Sequence, residues 1–417
     1  MSEHQLQPVA PPERIQVIDV LRGVALFGII AANMRGFNAP ARVYGSPELM
    51  WSGTADRIVQ SFIDVFISGK FITLFSFLFG LGFAVQMSRA EAKGANFVSF
   101  YARRMSILLV IGLVHSFLIW WGDILVTYAL LGFALLLFRK RSQKTVMAWA
   151  LGLLSVFMLL GLVFMVLVRF GVHIPAPSNP TPEQIQQTVR IYGRGSIGQI
   201  MVERAGDVRR QYTAPFYFAS VLGVFLLGLY VWRRGIFQDV PAHLALIRKW
   251  LWIFLAVGLA GNVGAWLIGV LLHPPPQPNL ANLLRWGIAY TIGVPALSCF
   301  YASGVVLLFQ KPAWQKRLLP FAAVGRMALS NYLLQSVVCT LLYYSYGFGL
   351  YGKVGPAMGL IPTLVIYGAQ IPLSAWWLRR YQFGPMEWLW RSLSYGYFQS
   401  MRIGRVAVGG PSPAGAA

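Results

Sequence analysis

Long apolar runs separated by short basic segments fill the chain from about residue 17 to residue 378. A helix of roughly 20 apolar residues is long enough to cross a hydrocarbon core about 30 Å thick. The hydropathy pattern predicts ten transmembrane helices, at residues 17–34, 70–88, 104–121, 123–138, 145–169, 213–232, 250–272, 284–309, 318–345 and 358–378. We therefore expect an all-α, polytopic helical integral membrane protein.

Two segments outside these runs have a helical pattern of their own. In residues 55–68, Ile58, Phe62 and Phe66 share one face, which predicts a helix lying along the membrane interface. The loop at residues 170–212 carries a polar helical pattern that starts near Pro182. That pattern fits either a cap over an outward-facing cavity or a solvated surface hairpin.

The composition and the placement of charge support a membrane protein. Hydrophobic residues make up 57% of the chain and charged residues only 12%, although the net charge is +22. The basic residues cluster in alternate connections, so the positive-inside rule predicts that both termini are cytoplasmic. We expect these residues to contact anionic lipid headgroups, and we expect no nucleic-acid partner.

This arrangement divides the chain into three parts. We expect a cytoplasmic segment at residues 1–16, a transmembrane domain at residues 17–378, and a basic cytoplasmic tail at residues 379–417 with a disordered, low-complexity end. Cys299 and Cys339 lie within predicted spans and form no CxxC pair. The five histidines are scattered without metal-ligand spacing, so we expect no metal.

Ionisable side chains inside the spans are the strongest functional signal. Each charge at the centre of a span costs about 2.5–3.5 kcal/mol on insertion scales, so such residues pair, lie near an interface or line a wet cavity. They fall into a cytoplasmic and an outer group. The cytoplasmic group comprises Asp19, Arg22 and Arg326, together with Asn331 deeper in the same span and with Glu387 and Arg391 after the last span. The outer group comprises His115, Asp123 and Lys70, together with Asn33 at the same level.

Each of these residues also has a purely structural interpretation. Asp123 follows Gly122 and precedes an apolar run, which is typical of a helix N-cap. His115 fits an interhelical hydrogen bond. Asp19 and Arg22 are three residues apart and fit a local ion pair, and Lys70 fits a side chain that snorkels to the interface.

Five motifs resemble a known family. The segments VIDVLRGVALFGIIAAN, LFSFLFGLGF, HSFLIWWGDILVTYALLG, GRMALSNYLLQS and GPMEWLWR resemble the YeiB-like bacterial inner-membrane family, domain of unknown function 418, from about residue 14 to residue 395. That family is grouped with the transmembrane acyltransferases, whose relatives include lysosomal heparan-glucosaminide acetyltransferases. The resemblance implies transfer of an acetyl group from cytosolic acetyl-CoA to an acceptor across the membrane, with a histidine as catalyst.

The resemblance carries over only in part. Asp19 and Arg22 match the opening motif of those relatives. Their catalytic histidine lies in the loop after the first span, where this chain reads MRGFNAPARVYGSPELMWSG and has no histidine. Either His115 substitutes from another helix, or this branch performs different chemistry.

These observations predict an acyl-CoA-dependent membrane acyltransferase. His115 is the expected general base, with its tautomer set by Asp123, and the cytoplasmic arginines are expected to bind the phosphates of an acyl-CoA, such as acetyl-CoA. The expected oxyanion donors are Asn33, Asn331 or Lys70. The expected partners are membrane lipids and a small-molecule or glycan acceptor. The oligomer that we expect is a homodimer. A transporter or exporter without covalent chemistry is the alternative, and a scaffold or lipid-organising role is the third.

Overall fold

The structure is a computed structural model that describes residues 15–173, 179–212, 215–273 and 279–403. The expected N-terminal segment, apart from its last two residues, and the low-complexity end of the tail lie outside these ranges. The α-helices in the described ranges are α1 (Gln16–Asn38), α2 (Thr54–Phe66), α3 (Lys70–Ala92), α4 (Phe97–Val114), α5 (Leu125–Leu135), α6 (Gln143–Arg169), α7 (Pro182–Arg194), α8 (Ile197–Tyr212), α9 (Pro215–Arg233), α10 (Leu244–Leu272), α11 (Leu280–Asn282), α12 (Val294–Phe309), α13 (Pro312–Arg326), α14 (Ala328–Tyr343), α15 (Pro356–Leu378) and α16 (Pro385–Tyr395). Two π-helices, His115–Ile119 and Leu283–Gly293, continue α4 and precede α12. Within the same ranges the chain forms no β-strand, only an antiparallel bridge between Tyr381 and Arg402.

The all-α, polytopic membrane architecture predicted from hydropathy is confirmed. Seven helical stretches in the described ranges are long and apolar enough to cross a membrane, namely Gln16–Asn38, Thr54–Ala92, Phe97–Ile119, Gln143–Arg169, Pro241–Leu272, Leu280–Phe309 and Pro356–Leu378. The pair α8 and α9 adds an eighth if its 61° bend belongs to one span. The remaining two predicted spans contain shorter apolar helices, Leu125–Phe138 and Ala328–Tyr343.

The boundaries predicted for the ninth span are wrong. Residues 318–345 do not form one helix, because α13 ends at Arg326 and α14 begins at Ala328, with Met327 between them outside helical geometry. Glu387 of α16 accepts hydrogen bonds from the first amide groups of α14, so a side chain satisfies donors that a continuous helix would have satisfied internally.

Helix α1 forms the centre of the bundle. In its most apolar window 72% of the residues are buried, against 6% in α6, which therefore lies on the outer surface. Helix α1 packs against α3, α13, α14 and α15. A Cβ atom on Gly23 would lie 2.0 Å from the Phe321 carbonyl oxygen, and one on Gly325 would lie 1.9 Å from that of Asp19. These two glycines let the backbones of α1 and α13 touch.

Two ends of the bundle follow from the direction of α1. We call the end at which α1 begins the near end and the end at which it finishes the far end. Helix α2, at the far end, confirms the helix predicted at residues 55–68, and its Ile58 and Phe62 remain exposed while Ile63 and Val65 are buried. Gly69, at φ +80°, then turns the chain into α3.

The loop predicted at residues 170–212 contains two packed helices, α7 and α8, which we call the outer pair. The outer pair begins with a capping box in which Thr181 and Gln184 exchange hydrogen bonds. It buries Tyr192, Arg204 and Asp207 against the bundle. Burial of two charged side chains is not expected of a solvated surface hairpin, so the outer pair is packed onto the bundle. The cap over an outward-facing cavity stays a prediction.

Candidate functional site

His115 and Asp123 form a buried dyad at the far end of the bundle. The Nδ1 atom of His115 lies 2.8 Å from Oδ1 of Asp123, and the side chains are 1% and 0% exposed. The dyad forms because the chain reverses at Trp120–Ile124 between the π-helix His115–Ile119 and α5. Gly112 permits this tight hairpin, since a Cβ there would lie 2.6 Å from the Val126 amide nitrogen.

Asp123 also caps the helix that follows it. Its Oδ2 atom accepts hydrogen bonds from the Val126 amide at 2.8 Å and from the Tyr212 hydroxyl at 3.3 Å. Asp123 therefore bonds both the start of α5 and His115, and its catalytic role stays a prediction. One carboxylate oxygen is used for each of these two partners.

The hydrogen-bond pattern assigns the tautomer of His115. A carboxylate oxygen accepts hydrogen bonds, so the neutral tautomer that fits this contact has its proton on Nδ1 and a lone pair on Nε2. Nε2 is buried and has no hydrogen-bond partner within the described part of the chain. A histidine oriented by a carboxylate, with its second nitrogen unpartnered, has the arrangement of a general base.

A cavity of about 330 Å³ leads from the near end towards the dyad. Ile15 and Ile29 both line it, so at 1.5 Å per residue it extends about 21 Å along α1. Its inner wall includes Leu125, Tyr128 and Tyr332. The centroid of the Tyr332 ring lies 5.1 Å from that of His115, so this tyrosine contacts both the cavity and the dyad.

The near end of the cavity is rich in arginine. Five arginines and two carboxylates line it: Arg22, Arg89, Arg104, Arg326, Arg391, Asp19 and Glu387. Five of these seven belong to the cytoplasmic group singled out in the sequence, so the structure brings that group together, with the exception of Asn331. The excess of positive charge makes this end of the cavity a suitable place for a phosphorylated ligand.

The arginines differ in how they are held. Arg22 forms an ion pair with Asp19 at 2.9 Å, which is the local pair expected from their spacing. The guanidinium of Arg104 stacks on Trp390 at 3.7 Å, and that of Arg391 lies over Phe383 at 4.7 Å. The Nε atom of Arg326 is buried without a hydrogen-bond partner in the described residues. Arg326 therefore retains a donor for a ligand.

Glu387 serves the fold as well as lining the cavity. Its Oε1 accepts from the amides of Leu329 at 2.6 Å and Ser330 at 3.1 Å, and its Oε2 accepts from the Ser330 hydroxyl. Helix α16 lies outside the candidate spans. Burial raises the pKa of the Glu387 carboxyl, while the hydrogen bonds from Ser330 and Leu329 act in the opposite direction. Burial lowers the pKa of Arg391 on the same helix.

Five predicted site residues do not line this cavity: the dyad residues His115 and Asp123, and a further three, Asn33, Lys70 and Asn331. Asn33 is half-buried on α1. Lys70 is only 2% exposed and donates from Nζ to the Asp64 backbone oxygen at 2.6 Å, so the snorkelling interpretation is wrong. Asn331 donates to the Val324 carbonyl and to the Ser374 hydroxyl, so its amide group holds helices together. None of the three is placed as an oxyanion donor in the cavity.

Sequence reasoning missed Arg89, Arg104, Tyr212 and Tyr332. Arg89 and Arg104 flank predicted spans, where an arginine is typical of a topology anchor. Only the packing of α16 against α4, with Trp390 covering Arg104, reveals that Arg104 faces inward. No grouping of His, Cys, Asp and Glu in the described ranges has the three members needed to hold a metal ion.

Comparisons with known proteins place the chain among relatives of unknown activity. The family model described as "Protein of unknown function (DUF418)" matches residues 231–397. The chain is 39% identical over 408 residues to "Uncharacterized protein YxaH" of Bacillus subtilis (strain 168), covering 94% of this chain and 96% of the relative. It is 30% identical over 398 residues to "Uncharacterized protein YeiB" of Escherichia coli (strain K12), covering 92% and 96%. A 39.9 kDa uncharacterized protein of Bacillus acidopullulyticus is 29% identical over 402 residues, covering 94% and 96%.

Proposed function

This chain belongs to the YeiB-like DUF418 family, and on that premise we propose that it is a membrane acyltransferase that uses an acyl-CoA. The observation that carries the proposal is the continuity of one cavity. It joins an arginine-rich near end to Tyr332, which contacts the His115–Asp123 dyad. Its volume of about 330 Å³ lies within the range of about 300–1,000 Å³ common for small-molecule sites.

The donor is proposed to bind with its phosphates at the near end. Arg104, Arg326 and Arg391 would contact the phosphates, because guanidinium groups form paired, charge-assisted hydrogen bonds with phosphate oxygens. The pantetheine arm would extend through the apolar inner part of the cavity and bring the thioester towards Tyr332. In this proposal the near end faces the cytoplasm of a bacterial inner membrane, with both termini on that side, because acyl-CoA is a cytoplasmic metabolite.

The chemistry assigned to the dyad is general-base catalysis. His115 Nε2 accepts the proton of an acceptor hydroxyl or amine, and Asp123 stabilises the resulting imidazolium through Nδ1–H. The acceptor oxygen or nitrogen attacks the thioester carbonyl carbon. A new C–O or C–N bond forms, the C–S bond breaks, and the proton passes from His115 to the departing CoA thiolate. Tyr332 lies between the cavity and the ring of His115 and is the proposed hydroxyl donor to the oxyanion in place of Asn33, Asn331 and Lys70. Its hydroxyl donates to the Gly122 carbonyl at 3.4 Å, so in this proposal it turns from that carbonyl to the oxyanion.

A transporter without covalent chemistry remains the second candidate. The observation that favours it is that the cavity begins at the near end, whereas the outer pair covers the dyad at the far end. One-sided access of this kind is expected of a single state in alternating access. Movement of a ligand across the membrane without release of CoA would support this candidate.

Turnover of acetyl-CoA in proteoliposomes tests the proposal. The full chain is reconstituted in lipid extract, and CoA thiol release and labelled acyl product are measured for wild type, His115→Gln and the matched control His243→Gln. General-base catalysis typically contributes 10²–10⁴-fold, so we expect turnover to fall at least about 100-fold in His115→Gln. His243→Gln is expected to retain it, since the His243 ring bonds the Asp239 carbonyl near an exposed turn and does not line the cavity. Equal turnover in the two variants, or none in wild type, would contradict the proposal.

A further inference from the structure

The last residues of α8 reach the dyad from a different part of the chain. The Tyr212 hydroxyl donates to Oδ2 of Asp123 at 3.3 Å, and the Gln211 amide donates to the backbone oxygen of the same aspartate. Asp123 therefore has one hydrogen bond to His115, one to Val126 in the helix that follows it, and one to Tyr212. Of these three side-chain bonds, only that from Tyr212 joins the carboxylate to the outer pair.

The outer pair is fixed independently of that contact. Arg204 is 2% exposed and donates from a terminal nitrogen to the Phe117 carbonyl at 3.2 Å, within the π-helix that begins at His115. Tyr192 donates to Asp207 at 2.8 Å and stacks against Tyr351. Because these buried contacts hold the body of the outer pair, loss of the Tyr212 hydroxyl is expected to release the carboxylate without undocking α8.

We propose that Tyr212 is a positioning residue of the site, which acts through Asp123 to hold the ring of His115 in the orientation needed for proton transfer. The role assigned to His115 rests on the proposed function, but the contact itself does not. Val126 and Tyr212 both donate to Oδ2, one from α5 and one from the outer pair, and together they fix the plane of the carboxylate. The histidine on Oδ1 takes its orientation from that plane. Docking of the outer pair at the far end thereby becomes a condition for activity at the inner end of the cavity.

Two readouts on the full-length protein test this role. Amide hydrogen exchange of Val126 reports whether the carboxylate still holds the start of α5, and kinetics of CoA release from acetyl-CoA report the dyad. The variant is Tyr212→Phe. The matched control is Tyr192→Phe, which removes a tyrosine–aspartate hydrogen bond from the same outer pair without touching the dyad.

In Tyr212→Phe we expect the amide hydrogen of Val126 to exchange about tenfold faster than in wild type. Exchange of the amide hydrogens of α8 around Arg204 should stay unchanged. We expect kcat to fall about tenfold with the KM for acetyl-CoA unchanged, because the donor site lies at the near end. Tyr192→Phe should leave both the Val126 amide and kcat unchanged, because the ring still stacks on Tyr351 and the Arg204 bond to the Phe117 carbonyl still holds the outer pair.

An unchanged Val126 amide in Tyr212→Phe would overturn the inference. So would equal effects of Tyr212→Phe and Tyr192→Phe, since the hydroxyl would then act only on the stability of the outer pair. Failure of the proposed function is distinguishable: wild type would release no CoA, and the exchange experiment would still decide whether Tyr212 holds Asp123.

Discussion

The contact between α1 and α13 is the feature on which the near end of the cavity depends most. Asp19 and Arg22 lie on α1, and Arg326 ends α13 directly after Gly325. A Cβ at Gly325 would lie 1.9 Å from the Asp19 backbone oxygen, which cannot move as a flexible side chain would. Gly325→Ala therefore forces α1 and α13 apart at the point where they carry the side chains proposed to bind the acyl-CoA.

The size of the effect follows from that distance. An ordinary contact begins at 3.4 Å, so the helices must separate by about 1.5 Å at this point. Overpacking of this kind costs about 1–3 kcal/mol of stability. A displacement of about 1 Å can reduce catalysis by about 100-fold when it misplaces groups that act together. We expect Gly325→Ala to lose both stability and acyl-CoA binding.

The matched control is Gly368→Ala in the middle of α15. No atom lies within 4 Å of a Cβ built at Gly368, so this alanine meets open space and improves helix propensity by up to about 1 kcal/mol. Thermal unfolding in detergent and titration with acetyl-CoA are measured for both variants and for wild type. If Gly325→Ala matched Gly368→Ala in melting temperature and in affinity, the close contact of α1 and α13 would not shape the cavity.

Three further predictions concern contacts that hold the site. Glu387→Ala removes the cap of α14 and should lower the free energy of unfolding by about 1.5–3 kcal/mol, measured by denaturant unfolding; an unchanged midpoint would refute the capping role. Tyr367→Phe removes a buried hydroxyl that donates to the Gly23 carbonyl at 2.6 Å and should cost about 0.5–1.5 kcal/mol in the same assay, whereas a gain in stability would contradict that bond. Asp56→Ala removes the acceptor for the Ala357 amide at 2.9 Å, so amide hydrogen exchange in the first turn of α15 should accelerate about fivefold. The same exchange rate in the variant and in wild type would show that Asp56 does not cap this turn.

Hydropathy predicts where most of the helices lie, because an apolar run in lipid leaves the backbone few alternatives to a helix. It does not predict the break at Met327, since the run of apolar residues continues through it and the capping carboxylate comes from Glu387, 58 residues beyond Leu329. A cap supplied from so far along the chain leaves no local pattern in the sequence.

The dyad was predictable and the rest of the site only in part. His115 and Asp123 flank a short reversal, so their pairing follows from local geometry. The direction in which Arg104 points depends on α16, which packs against α4 from almost three hundred residues away. For Lys70 the sequence predicted exposure and the structure shows burial. Its position at the start of a helix suggests snorkelling, but its ammonium group donates to the carbonyl of Asp64 inside the fold.

Binding of acetyl-CoA to the detergent-purified protein tests the central claim most directly. The titration is made by calorimetry with wild type, with Arg326→Ala and with the exposed control Arg248→Ala. Arg326 lines the cavity, and its Nε is buried without a hydrogen-bond partner among the described residues. The account predicts saturable binding to wild type and to Arg248→Ala, with affinity about ten- to 100-fold weaker in Arg326→Ala. Absence of binding to wild type, or equal affinity in all three proteins, would contradict the donor site.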